Sequence, residues 1–327
     1  MKLASLREGG LDGTLVVVDR EFTRATTAAH LVPTLQRALE QWERVAPQLE
    51  ALYHAHNKDE RSGFEITAAK LAAPLPRTFQ WLDGSAYLCH VERVRKARGA
   101  ELPKELLTDP LMYQGGGDSL LGAREPICLA DEAWGLDFEA EVGVLTDAVP
   151  MGITPAQAAG HIKLLVLIND ISLRNLIPSE LAKGFGFLQG KPSSALSPLA
   201  VTPDELNGAW DGGKVHLPLL TFLNEERFGN PDAGEDMQFD FPRLISHAAR
   251  TRTLSAGTLI GSGTVSNAAT SRGCSCLVEK RVLEIIESGE ASTPYLQYGD
   301  RVRITMRDQK GHSIFGAIEQ EVIPCPA

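Results

Sequence analysis

Leu136-Asp137-Phe138-Glu139-Ala140-Glu141-Val142-Gly143-Val144 alternates in character: Leu136, Phe138, Ala140, Val142 and Val144 share one parity, and Asp137, Glu139 and Glu141 share the other. Side chains of a strand point alternately to its two faces. The segment therefore predicts a β-strand with one face on a core and Glu139 and Glu141 side by side on the other. Two ionised carboxylates at that spacing repel, and burial strengthens the repulsion. Such a pair persists on a solvated edge strand, by sharing a proton, or against a cation. The segment alone leaves all three open.

Outward from it, Ile162-Lys163-Leu164-Leu165-Val166-Leu167-Ile168 is a largely apolar run suited to a buried strand. It ends at Asn169-Asp170-Ile171-Ser172-Leu173-Arg174, where a continuing strand would put Asp170, Ser172 and Arg174 on one face. A carboxylate at the mouth of an apolar strand is costly unless neutralised. Asp170 is thus either a partner of Arg174 or a metal ligand. Upstream, Trp81-Leu82-Asp83-Gly84-Ser85-Ala86-Tyr87-Leu88-Cys89-His90 adds Asp83. Asp83, Glu139, Glu141 and Asp170 would make an all-oxygen site. Mg²⁺, Mn²⁺ or Ca²⁺ suits such a set, whereas zinc would be expected to recruit histidine or thiolate. Spacing does not show that the four meet.

With 327 residues, 43% of them hydrophobic, the chain can bury a large core in one or two domains. A net charge of -10 without a long basic tract argues against nucleic-acid binding. Cys89, Cys128, Cys274, Cys276 and Cys325 lack a framework spacing and read as reduced thiols, with Cys274 and Cys276 as ordinary strand residues. The N-terminus reaches charge before any apolar core of signal-peptide length, and no apolar run approaches the ~20 residues of a membrane span. These features predict a soluble, cytoplasmic protein.

Thr14–Asp19 reads as a β-branched strand, and Pro33 to about His56 as a helix that Pro47 kinks or divides. The two histidines of His54-Ala55-His56 would not face each other on a helix, so no metal pair is expected there. Ala72-Ala73-Pro74-Leu75-Pro76 marks a joint, predicting an N-terminal α+β domain over 1–73 and a β-rich catalytic domain over 74–327. Thr154-Pro155-Ala156-Gln157 carries a capping box with proline at the first helical position. Val302–Met306 and Ser313–Val322 read as a hairpin. There is no Gly-x-Ser-x-Gly elbow, and Gly184–Gly190 has one residue too many for a dinucleotide fingerprint. Gly115-Gly116-Gly117 lacks the Lys-Ser/Thr of a phosphate loop.

Six features in order resemble the fumarylacetoacetate hydrolase family. They are Asp83 seven residues before His90; Asp137-Phe138-Glu139-Ala140-Glu141; Asn169-Asp170-Ile171-Ser172-Leu173-Arg174; Gly190-Lys191 before Ser197-Pro198; Gly263-Thr264-Val265-Ser266; and Glu279. The resemblance implies a mixed β-sandwich roll of the α+β class. It also implies a metal on Asp83, Glu139, Glu141 and Asp170, and a homodimer. Two departures stand out. Ile177 occupies a position where fumarylacetoacetases carry a glutamine, and the loop after Lys191 is one residue shorter, so the supporting hydroxyl is not identified.

On this resemblance His90 is expected as general base, oriented by Glu279, with Lys191 stabilising an oxyanion. Tyr113, Arg174 and Thr264 are expected to hold substrate. Without the resemblance, His90 would read as a packed histidine, Glu279 and Lys191 as solvated charges, and Arg93, Arg95, Lys96 and Arg98 as a wet helix face. The expected function is Mg²⁺-dependent (alternatively Mn²⁺ or Ca²⁺) hydrolysis of a carbon–carbon bond in a β-diketo acid. The simplest case converts fumarylacetoacetate to fumarate and acetoacetate in tyrosine and other aromatic catabolism. The alternatives are a hydratase, isomerase or decarboxylase acting on a 2-oxo acid, and a non-enzymatic metal-containing binding protein.

Overall fold

The computed structural model describes residues 1–59, 61–96 and 103–325. The chain opens with strands β1 (Lys2–Leu6), β2 (Thr14–Val18) and β3 (Arg24–Thr27), helices α1 (Leu35–Glu40) and α2 (Trp42–Lys58), and strand β4 (Phe64–Glu65). Next come β5 (Trp81–Gly84), α3 (Leu88–Lys96), β6 (Met112–Gly115), β7 (Ile127–Leu129), β8 (Leu136–Asp137) and β9 (Ala140–Thr146). Helix α4 (Pro155–Ala158) precedes β10 (Ile162–Asn169), β11 (Ser172–Leu173), α5 (Ile177–Leu181), β12 (Ala195–Leu196) and β13 (Ala200–Val201). The remainder is β14 (Leu219–Leu223), β15 (Glu226–Gly229), α6 (Phe241–Ala248), β16 (Leu259–Gly261), α7 (Leu277–Ser288) and the hairpin β17 (Arg301–Arg307) and β18 (Ser313–Pro324).

The large mixed sheet runs β4-β3-β2-β1-β13-β10-β9-β16-β5-β6, with β12 also on β10, and a second sheet runs β15-β14-β17-β18-β7. Both faces of the large sheet are covered, which the period of β10 makes plain. Leu165 and Leu167 enter the core shared with Ile304, Met306, Phe315 and Ile318 of the second sheet. Leu164, Val166 and Ile168 enter a separate core with Leu35 and Leu39 of α1 and Val45, Leu49 and Tyr53 of α2. A strand buried on both faces must be a continuous apolar run, as β10 is. The result is a β-rich α+β fold with a small N-terminal domain whose strands extend the large sheet. Among the described residues no helix is long and apolar enough to cross a membrane.

Three local expectations change. The helical segment divides at Gln41, not at Pro47, which lies inside α2. The acidic strand is not one strand: Phe138 and Glu139 interrupt it as the chain passes from pairing with β11 to pairing with β10 and β16. Cys276 is the residue that precedes α7, not part of a strand, and bridges Glu139.

Candidate active site

β9, β16 and β5 are neighbours, and their register brings Glu141 and Asp83 together across Gly261. A Cβ on Gly261 would stand 2.6 Å from Glu141 Oε2 and 2.8 Å from Asp83 Oδ1, so only glycine leaves the carboxylates their space. Glu139 enters from the β8–β9 break and Asp170 from the end of β10, where its N–H donates to the Glu139 carbonyl at 2.9 Å. One carboxylate oxygen from each of Asp83, Glu139, Glu141 and Asp170 lies within 4.8 Å of all the others, and all four residues are buried. Glycine serves Asp83 a second time: Gly263, at φ +76°, donates its N–H to Oδ1 at 3.0 Å.

The solvated-edge reading of Glu139 and Glu141 is thereby excluded. Burial, reinforced by the charge of Asp170, pushes Asp83 well above the usual carboxylate range. Burial and the charges of Asp83, Asp170 and Glu139 do the same to Glu141. Glu139 goes the other way: burial would raise it, but Arg174, Lys191 and His90 hold it below the usual range. Both oxygens of Glu141 are buried without a hydrogen-bond partner. A cluster of hard oxygen donors, with open acceptors and a glycine cradle, fits a divalent cation that takes oxygen ligands.

The surrounding polar groups fix these carboxylates. Lys191 Nζ pairs with Asp170 and, at 3.1 Å, with Glu139 Oε2. Tyr113 donates its hydroxyl to Asp170 Oδ2 at 2.6 Å, and Ser194 donates to Oδ1 at 2.8 Å. Ser194 also accepts from the Trp81 indole at 3.2 Å, and is the hydroxyl that the shortened loop left unidentified. Arg174 does not pair with Asp170; it binds Glu139 and, at 2.8 Å, Asp137. Asp137 belongs to the same buried network. It is fully buried and accepts from the N–H groups of Leu277 at 2.7 Å and Val278 at 3.0 Å, capping α7. A carboxylate is favoured at a helix N-terminus both as acceptor and by the dipole.

That cap places Glu279 in the first turn of α7, facing α3. His90 Nδ1 lies 2.9 Å from Glu279 Oε2. Burial would raise Glu279, but the hydrogen bond and charge of His90, then Ser266 and Arg93, hold it below the usual range. Arg93 is not on a wet face. It pairs with Glu279 and donates to Ser266 Oγ at 3.0 Å and to the carbonyls of Asn267 at 2.8 Å and Ala268 at 2.9 Å. Its spacing three residues after His90 was the available signal, since both then share a helix face. Arg98, from the same basic run, lies outside the described residues.

Asp83, His90, Tyr113, Glu139, Arg174, Lys191 and Thr264 all line one cavity of about 480 Å³. Glu141, Asp170 and Glu279 stand behind that lining, bonded to or clustered with residues in it. The sequence-predicted site residues therefore converge on one place.

Comparison with known proteins places the chain. The model "Fumarylacetoacetate (FAA) hydrolase C-terminal" matches residues 80–323, and "Fumarylacetoacetase N-terminal domain 2" matches residues 1–77. The chain belongs to the fumarylacetoacetate hydrolase family and is an enzyme of that superfamily. It is 27% identical over 160 residues to 2,4-didehydro-3-deoxy-L-rhamnonate hydrolase of Sphingomonas sp. (strain SKA58), covering 48% of this chain and 53% of that one. It is 25% identical over 248 residues to oxaloacetate tautomerase YisK of Bacillus subtilis (strain 168), covering 74% and 71%. The first of these matches thus spans about half the length of the relative. In fold it is similar to maleylpyruvate hydrolase from Sphingobium sp. SYK-6 in complex with manganese(II) ion and pyruvate, with TM-score 0.66, 16% identity and full coverage of both chains.

Proposed function

We propose that this protein is a divalent-metal-dependent hydrolase that cleaves a carbon–carbon bond of a β-diketo acid. The observation that carries the reading is the His90–Glu279 pair at 2.9 Å, set into the wall of the cavity that also meets the carboxylate cluster. Moving a proton from water to substrate needs a base of this kind, whereas tautomerising an already activated oxo acid does not need water. The family membership and a structural neighbour that holds manganese(II) ion and pyruvate agree with this chemistry.

A divalent cation on Asp83, Glu139, Glu141 and Asp170 would supply Lewis acidity toward the adjacent oxygens of an oxo acid. The chain's residues do the rest. Glu279 fixes the Nδ1 side of the His90 ring and leaves Nε2 to take a proton from water. The resulting hydroxide adds to the distal carbonyl carbon. The bond to the neighbouring methylene breaks, its electron pair stays on that carbon, and the proton taken by His90 goes to it. The products are a carboxylic acid and a methyl ketone. Lys191 stabilises negative charge as it develops on oxygen, and Arg174, Tyr113 and Thr264 orient the substrate.

The second reading is tautomerisation or isomerisation of a 2-oxo acid, favoured by the match to oxaloacetate tautomerase over most of the chain. Purified protein supplied with Mn²⁺ or Mg²⁺ separates the two. Acylpyruvates should yield equimolar acid and methyl ketone; enol–keto conversion of oxaloacetate without bond cleavage of any diketo acid would establish the tautomerase instead.

A further inference from the structure

Resting on the oxo-acid reading above, we infer that the acyl arm of the substrate is apolar: it ends in an alkyl or aryl group, not in a second carboxylate. The cavity has two kinds of wall. One is the polar set already described. The other is built by short helices that flank it: α3 contributes Val91 and Val94, three residues apart, and α5 contributes Ile177 and Leu181, four apart. Residues at these spacings share a helix face, so each helix turns an apolar pair toward the same space. Leu111 and Phe187 complete the wall. Phe187 is set edge-on to Tyr113, with ring centroids 5.2 Å apart, and its loop is held by Glu180, which accepts from the N–H groups of Leu188, Gln189 and Gly190. Ile177 packs so closely on Gly190 that a Cβ there would meet its Cγ1 at 2.8 Å.

Among the described residues, the six that build this wall carry no charge. The paired cations stand at the carboxylate end of the cavity: Arg174 and Lys191 bind Asp137, Glu139 and Asp170, where they meet the oxo-acid end of the substrate, and His90 binds Glu279. Arg95, which also lines the cavity, has a partner of its own. A second carboxylate placed against Val94, Ile177 and Leu181 would lose its hydration without compensation. An alkyl or aryl arm would instead cover apolar surface, including Leu111 and Leu181, which are 50% and 48% exposed.

The test is titration calorimetry of the full chain with Mn²⁺ in excess, comparing 2-oxooctanoate with its ω-carboxylate counterpart 2-oxooctanedioate. The monoacid should bind at least about tenfold more tightly, and each added methylene in a shorter series should gain up to about fourfold. Leu181→Lys, at a half-exposed position that folding tolerates, should move the preference toward the diacid, as should Ile177→Gln. Equal or tighter binding of the diacid, binding of neither acid, or an unchanged ratio in Leu181→Lys would overturn the inference. Pyruvate release from an alkyl acylpyruvate, followed on the same samples, keeps the two readings apart. A monoacid preference without bond cleavage defeats the hydrolase and leaves the apolar arm standing; cleavage with a diacid preference does the reverse.

Discussion

Lys191 is the residue on which the electrostatics of the site turn. Burial would lower its affinity for a proton, yet Asp170 and Glu139 raise it, so the ammonium stays charged between them. Lys191→Met keeps the volume but leaves buried carboxylates unpaired, and breaking a buried pair costs about 3–5 kcal/mol. Denaturant unfolding of the metal-free protein should show that loss, and Mn²⁺ should restore part of it. His90→Ala should lower kcat about 10²–10⁴-fold and, by removing a partner of the buried Glu279, cost about 1–3 kcal/mol of stability; a wild-type kcat would remove His90 from the mechanism. The four clustered carboxylates were legible as residues because carboxylates at strand positions demand an explanation. Ser194, Asp137 and the roles of Arg93 were not, because each acquires its partner from a segment far away in sequence, and local pattern carries no trace of that.

At the scale of elements, α7 and α3 are two helices locked by three residues. Asp137 caps α7, the cap sets Glu279, and Glu279 holds both His90 and Arg93 of α3. Asp137→Asn weakens the cap and leaves Arg174 with less counter-charge, so it should lower both kcat and unfolding stability, the latter by about 1–3 kcal/mol. The pH dependence follows from Glu279. Its folded-state value lies below the ordinary value of 4.5, so its stabilising contribution is complete above that value and is lost as pH falls through the folded-state value. Glu279→Gln does not titrate. The stability difference between wild type and this variant should therefore be largest near neutrality and shrink on acidification, measured by denaturant midpoints; a difference that grows at low pH would contradict the assignment. Element identity was readable from periodicity in β10 and the closing hairpin. The interruption at Phe138 and Glu139 was not, because alternation records which face a residue takes and not which strand it pairs with.

The whole molecule explains why four acidic residues can be buried together. A large sheet covered on both faces supplies rigid neighbours on every side, and β16, the strand between β9 and β5, meets the cluster with a glycine. That arrangement stores repulsion that a cation would relieve. Free Mn²⁺ at about a hundred times its dissociation constant should stabilise the fold by about 2.7 kcal/mol, seen as a higher Tm than in chelator, and Glu141→Gln should reduce the gain. The family motifs carried the overall fold, because their order and spacing match one architecture. Substrate identity was less legible: it depends on a wall assembled from α3, α5 and two loops, of which sequence showed only the departure at Ile177. The most direct test of the account is product analysis of Mn²⁺-loaded protein with an alkyl acylpyruvate. Equimolar pyruvate and carboxylic acid, abolished in His90→Ala, is the predicted result; intact substrate, or conversion between its keto and enol forms with no pyruvate released, would contradict it.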